Sequence, residues 1–333
     1  MSVAGEVVLV TGASGFLGRP VTRALLARGA TVRGLARPGS APLEPGVEPA
    51  PADGLHDREG LRRALAGAHA VVHLAARVHV MRDAAADPLA EFRRVNVEGT
   101  RTLLDESIRA GARRFLFASS VKALGEGGDV VLVDDTPPAP ADPYGVSKLE
   151  AEAVVREMAD AAGVHAPILR FPLIYGPGVG ANFLKLLRSV DRGIPLPFGR
   201  VRNRRSALYV GNAAAAVVAA LESPAAARET FLVSDGDDHS TPELVRRIAR
   251  ALGRPARLVP VPPMLFAGAG RAGDLLSRVM PIPLTTAAVH RLLGSLAVDP
   301  ARFFRFTGFV PPFTVEQGLA ATAAWYRGQA RSA

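Results

Sequence analysis

Cysteine is absent from the 333-residue chain, which excludes a disulfide scaffold, a thiol nucleophile and thiolate metal sites. The absence fits a cytoplasmic protein. Lysine is almost absent, for Lys122, Lys148 and Lys185 are the only three among 40 basic residues. Arginine usage this heavy, beside abundant Ala, Gly and Pro, reads as codon bias. Aromatic residues make up only 6%, and the net charge of +9 is not gathered into a block of like charges. The chain therefore lacks the concentrated basic patch of a nucleic-acid-binding protein. Long apolar runs are missing too. The uncharged stretch 258–270 is short and holds three prolines, against about 20 apolar residues for a membrane-spanning helix. The N-terminus carries Glu6 and no basic segment, unlike a signal peptide.

What is present is globular. Hydrophobic residues make up 48% and charged residues 21%, enough for a large core and about two domains. Residues 7–10, 31–35, 70–74 and 114–118 read as buried strands, with helical patterns over 16–28, 58–66 and 89–110. Such alternation predicts an α/β fold with a parallel sheet covered on both faces. A loop rich in Gly, Pro and Asp follows at 125–142, then a helix over 143–162 and a strand over 168–171. After Tyr175 the elements shorten and prolines multiply. Residues 231–233 read as a strand returning to the main sheet. Phe303, Phe304 and Phe306 are assigned to the core of a smaller, later domain.

Gly12, Gly15 and Gly18 form a Gly-x-x-Gly-x-x-Gly turn between the first strand and the first helix. Gly12 permits the tight turn, Gly15 lets a pyrophosphate approach the backbone, and Gly18 allows close helix packing. The N–H groups at the helix start then face phosphate. Dinucleotide binding follows. An acidic residue at the end of the second strand would select NAD. None occurs between Glu6 and Glu44, and Arg33 and Arg37 stand there instead. A guanidinium can fork onto a 2′-phosphate, so NADP is favoured over NAD.

Tyr144 and Lys148 lie four apart at a helix start, a spacing that puts both on one face. An ammonium nearby is expected to lower the phenol pKa, so that Tyr144 can give and take a proton near neutral pH. Ser119 and Ser120 follow the strand ending at Ala118, at the sheet edge where open α/β folds bind ligands. A hydroxyl there can hydrogen-bond a reacting carbonyl. His69 and His73 have i, i+4 spacing but no accompanying carboxylate motif, and no metal site is assigned.

Together these segments resemble the extended short-chain dehydrogenase/reductases of the nucleotide-sugar epimerase/dehydratase family. The segments are 11–18, His73-Leu74-Ala75-Ala76, Asn96-Val97-Glu98-Gly99-Thr100, 119–125, the Tyr144/Lys148 pair and 169–178. The likeness covers essentially the whole chain. It implies a Rossmann-type doubly wound parallel sheet with a smaller, discontinuous α/β substrate domain. Residues 1–175 would form the NAD(P)-binding domain, with part of 206–235 returning to it, and 176–333 mainly the substrate domain. Ser120, five residues before Gly125, takes the catalytic serine position, with Tyr144 and Lys148. The cofactor set is Gly12, Ser14, Gly15, Phe16, Leu17, Gly18, Arg33, Arg37, Asp53, Leu74, Ala75, Ala76, Asn96, Tyr144, Lys148 and Phe171.

A narrower resemblance, through 75–100, Asn182-Phe183-Leu184 and Asn203-Arg204-Arg205-Ser206, is to bacterial UDP-N-acetylquinovosamine dehydrogenases. These reduce a UDP-4-keto-6-deoxy sugar in surface-polysaccharide synthesis. Ser120, Lys122, Asn182, Arg205 and Arg291 would then bind substrate. The resemblance further implies a homodimer formed through 89–110 and 143–162, while composition points to a cytoplasmic protein with no nucleic acid or membrane partner. The chain departs from the family pattern in three places. Asp53 is displaced by one residue, Leu124 stands where tyrosine is common, and the stretch 291–295 lacks the Arg-x-Gly-Asp frequent in epimerases. A UDP-hexose 4-epimerase is the rival reading within enzymes, and a non-catalytic NADP-binding sensor the rival outside them.

Overall fold

The structure, a computed structural model, describes residues 1–78, 87–128, 130–276, 286, 289 and 293–332. Seven parallel strands form the main sheet: β1 (Val7–Thr11), β2 (Thr31–Ala36), β3 (Glu48–Pro51), β4 (Ala70–His73), β5 (Arg114–Ser120), β6 (Ile168–Phe171) and β9 (Thr230–Leu232). Their spatial order is β3-β2-β1-β4-β5-β6-β9. The chain runs outward from β1 to β3, then crosses back to β4. The carboxyl ends of β1 and β4 therefore flank the topological switch point, where such sheets bind ligands.

The continuous apolar runs are explained by burial on both faces. Val8, Val10, Val72, Leu116 and Leu169 point to one layer, where α1 (Gly18–Ala27) and α7 (Val210–Glu222) pack through Val21, Leu25, Ala213 and Val217. Leu9, Val71, Phe115, Phe117 and Ile168 point to the other. There Leu61 and Leu65 of α2 (Arg58–Leu65) join Leu103 and Leu104 of α4 (Gly99–Arg109) and Val154 and Val155 of α5 (Pro143–Ala162). The helix expected over 89–110 comprises α3 (Pro88–Arg93), a π-helical segment Arg94–Glu98 and α4.

A second core surrounds the small parallel pair β7 (Leu173–Tyr175) and β8 (Ala207–Tyr209). Phe183 and Leu187 of α6 (Ala181–Asp191), Val245 and Ile248 of α8 (Thr241–Leu252), and Leu319 of the last helix, Val315–Ser332, fill it. The phenylalanine cluster is placed differently from expectation. Phe303, on the helix Ala301–Thr307, is fully buried against Phe231 of β9 and Phe309. It belongs to the α1/α7 layer of the main sheet, because β9 brings that edge within its reach.

Candidate active site

β5 ends at Ser120, whose hydroxyl accepts the Lys122 N–H at 3.2 Å and caps a short 3₁₀ turn, Val121–Ala123. The helix α5 begins opposite. Asp142 caps it by accepting the Gly145 N–H at 2.8 Å, and Pro143 supplies the first helical φ. A Cβ at Gly145 would run into the Lys122 carbonyl, so the glycine is what lets the helix start close on the serine turn. Tyr144 and Lys148 project from this first stretch. The Ser120 hydroxyl lies close enough to the phenol to favour its charged form. The Lys148 ammonium donates to the Ala118 carbonyl at 2.5 Å and lies 4.3 Å above the Phe117 ring.

Burial governs the protonation of this pair. It pushes Tyr144 up to about 12, against the Ser120 hydroxyl, with Asp142 adding to the rise. It pushes Lys148 down to about 7, opposed by Glu152. The lowered phenol expected from the four-residue spacing is therefore not what this arrangement gives. Desolvation outweighs the ammonium, which is turned toward Ala118.

The glycine turn lies beside these groups. Gly12 has φ +69°, and a Cβ there would sit 3.0 Å from the Ala75 nitrogen. A Cβ at Gly18 would strike the Gly12 carbonyl. Thr11 Oγ1 accepts the Ala75 N–H at 3.1 Å and so ties β1 to the Leu74-Ala75-Ala76 segment. The Leu17 cap of α1 offers no side-chain bond, and the first turn holds no acid. Together with the exposed Gly15, this free positive helix end suits a phosphate. Ser14 lies at the same rim, while Phe16 and Leu17 turn partly into the second core. The donor set and the backbone cradle thus fit a dinucleotide.

The remaining cofactor candidates divide. Arg37 is exposed just beyond β2, and Asp53 is exposed just beyond β3. Arg33 is spent elsewhere. Its guanidinium donates to the Ala64 and Ala66 carbonyls and pairs with Glu48, because it sits mid-strand, three residues short of the end of β2. Asn96 is buried and acts as a bracket. Its amide oxygen accepts the Arg77 N–H at 2.8 Å, and its nitrogen donates to the Arg77 carbonyl and the Ser147 hydroxyl, each at 3.0 Å. Phe171 is buried at the end of β6.

His73 has a role that spacing did not reveal. Its Nδ1 meets Thr11 Oγ1 at 2.7 Å and its Nε2 meets Thr100 Oγ1 at 2.9 Å. Thr100 Oγ1 donates on to the Asn96 carbonyl at 2.6 Å. The imidazole therefore joins the glycine-turn strand to the helix that brackets Ser147, next to Lys148. His69 accepts the Val7 N–H. The only advance sign of this network was the conjunction of His73, Asn96 and Thr100 in family-like segments.

On the substrate side, Gly178 has φ +92°, and a Cβ there would touch the Phe16 ring at 3.4 Å. The loop leading into α6 thus abuts the glycine turn. The helix has no side-chain cap and no acid in its first turn, where Asn182 is exposed. Lys122 pairs with Glu126 at 2.5 Å and lies 3.7 Å from Asp142. Arg205 is bridged through its backbone to His239 and Leu296. Burial lowers its pKa, and Glu126 opposes the change. Glu126 thus lies within the electrostatic reach of both cations. Arg291, and the 79–83 part of the narrower resemblance, lie outside the described residues.

The NAD dependent epimerase/dehydratase family matches residues 8–234. The chain is 41% identical over 257 residues to a UDP-glucose 4-epimerase of Vibrio cholerae, covering 76% of this chain and 75% of that one. It is 35% identical over 288 residues to a 3-diazoavenalumate denitrifying reductase of a Streptomyces species, covering 84% and 90%. Among solved structures, a Thermus thermophilus UDP-glucose 4-epimerase in complex with NAD aligns with a TM-score of 0.74 at 26% identity, over 97% and 99% of the two chains. A match over most of the chain, with the glycine turn, the serine turn and the Tyr144/Lys148 helix converging at one sheet edge, makes the chain a member of the NAD dependent epimerase/dehydratase family of extended short-chain dehydrogenase/reductases.

Proposed function

We propose that the chain is an NAD(P)-dependent reductase of a UDP-4-keto-6-deoxy-(N-acetyl)hexose, acting at C4 of the sugar in surface-polysaccharide synthesis. The observation that carries this reading is the close approach of the α5 start, with Tyr144 and Lys148, to the Ser120 turn at the end of β5, where burial keeps the phenol protonated. A protonated phenol is matched to giving a proton to a carbonyl oxygen as that carbonyl is reduced. The bound cofactor supplies the hydride. Tyr144 delivers the proton to the C4 oxygen, Ser120 orients that oxygen, and Lys148 returns positive charge to the phenolate left behind. Gly12, Gly15 and the α1 N-terminus hold the cofactor diphosphate, and Asn182 and Arg205 the substrate diphosphate. Residues 1–175, with part of 206–235, serve the cofactor, and 176–333 mainly the sugar nucleotide. Exposed Arg37, with no acid at the end of β2, supports NADP as the preferred cofactor. A cytoplasmic homodimer formed through the α3–α4 stretch and α5 completes the proposal. Among the described residues no helix is long and apolar enough to cross a membrane.

The second reading is a UDP-hexose 4-epimerase, supported by the name of the Vibrio cholerae relative. An epimerase keeps its reduced cofactor while the 4-keto sugar turns over in the site. A reductase releases the oxidised cofactor and takes up a fresh reduced one. The purified protein is given a UDP-4-keto-6-deoxy-N-acetylhexosamine with NADPH or NADH, and the reduced nicotinamide is followed by absorbance. UDP-glucose and UDP-N-acetylglucosamine are offered in parallel without reductant. The reductase reading expects stoichiometric loss of reduced cofactor in the first assay. Inversion at C4 in the second, with no cofactor consumed in the first, establishes the epimerase instead.

A further inference from the structure

The catalytic pair stands on a buried ionic cluster. Glu152, one helical turn past Lys148 on α5, has no exposed surface. Its carboxylate accepts from Ser119 Oγ at 2.5 Å. It also takes a two-pronged bond from Arg170, Nε at 2.9 Å and Nη2 at 2.7 Å. Arg156 approaches at 3.4 Å and donates to Thr230 at 3.1 Å. Ser119 and Arg170 are register partners on β5 and β6, and Thr230 opens β9. One carboxylate therefore ties the catalytic helix to two adjacent strands, β5 and β6, and Arg156 of the same helix reaches the third, β9. Lys148 bonds the carbonyl of Ala118, and Glu152 bonds the side chain of the next residue.

Stability alone is a weak reason for such a cluster, because well-packed apolar residues of equal volume often hold as well as a buried ion pair. What apolar residues cannot supply is charge. The groups facing the Lys148 ammonium are the Phe117 ring and Ala118 carbonyl from β5, His73 from β4, and Glu152 from its own helix. Burial keeps His73 neutral and Tyr144 protonated. Glu152 is the anion of this set, partly offset by Arg170 of β6 and by Arg156, and it opposes the desolvation of Lys148.

We propose that Glu152 is a positioning residue for hydride transfer: it locks α5 across β5 and β6 and sets the charge one helical turn from the Lys148 ammonium. The role rests on the oxidoreductase reading of the site, but its test needs no substrate. With only three lysines in the chain, ¹³Cε-lysine labelling yields three NMR signals, assigned through Lys122→Arg and Lys185→Arg. Lys148 is expected to titrate well below the other two. In Glu152→Gln its midpoint should move down by about one pH unit, as loss of a neighbouring charge predicts. Ser119→Ala, which removes a neutral partner, should leave it in place. An unmoved midpoint in Glu152→Gln, or an equal shift in Ser119→Ala, overturns the proposal. If Glu152→Gln does not fold, Arg170→Met supplies the second arm. Uncovering the carboxylate should raise the Lys148 midpoint, and no rise overturns the proposal. With substrate, the alkaline limb of kcat/KM should follow the NMR midpoint. If no UDP-4-keto sugar is reduced, the substrate reading fails while the titration still decides the role of Glu152.

Discussion

Tyr144 and His73 show how burial sets chemistry one residue at a time. Phenylalanine at 144 keeps the ring and its edge contact with Phe92 but removes the proton. Tyr144→Phe is therefore expected to lower turnover roughly 10²–10⁴-fold with cofactor affinity nearly unchanged. Turnover assays and calorimetry check the two halves, and a variant above half of wild-type turnover takes Tyr144 out of the mechanism. His73 predicts a pH effect on stability. Burial, then Lys148, pushes it down to about 3 from 6.5. The unfolded chain takes up this proton near 6.5 and the folded chain only near 3. The stability from the neutral ring is thus full above pH 6.5 and is lost as pH falls toward 3. Asp134 and Asp235, pushed up to about 6 mainly by burial, act in the opposite sense between 3.8 and 6. The test is therefore a difference. The gap in Tm between wild type and His73→Asn should narrow from pH 7 to pH 4, and a constant gap contradicts the assignment.

At the scale of elements, the site depends on how tightly α5 closes on the Ser120 turn. Gly145→Ala forces a methyl against the Lys122 carbonyl, and overpacking of this kind costs about 1–3 kcal/mol. Asp142→Ala removes the helix cap and a nearby anion of Lys122, for a loss of about 0.5–2 kcal/mol. Denaturant unfolding should show both, with turnover falling more in Gly145→Ala because the Tyr144–Ser120 distance changes. Strands buried on both faces were legible in the sequence because their apolar runs are unbroken, and α5 was legible to the residue because Asp142-Pro143 and Gly163 bracket it. The edge strand Glu48–Pro51 was not read as a strand, since two prolines in four residues argue against one. It is tolerated because only one side of it pairs with the sheet. The cluster of Ser119, Glu152 and Arg170 was equally invisible. Its members are 18 and 33 residues apart, and only the parallel register brings them together.

For the whole molecule, the question is whether the proposed cofactor and substrate sites work through one proton donor. Cofactor choice is the first check. If Arg37 reads a 2′-phosphate, calorimetry should find NADP(H) bound more tightly than NAD(H), with Arg37→Ala narrowing the difference. Tighter NAD binding would leave Arg37 as surface charge, as Arg33 already is a helix-end anchor. The most direct measurement follows the hydrogen itself. The protein is supplied with a UDP-4-keto-6-deoxy-N-acetylhexosamine and NAD(P)H carrying deuterium on the transferred position, and the sugar product is examined by mass spectrometry and NMR. A reductase built on Ser120, Tyr144 and Lys148 places one deuterium at C4 for each cofactor oxidised, and Tyr144→Phe places almost none. A product without deuterium, or C4 inversion with the labelled cofactor left unconsumed, contradicts the account.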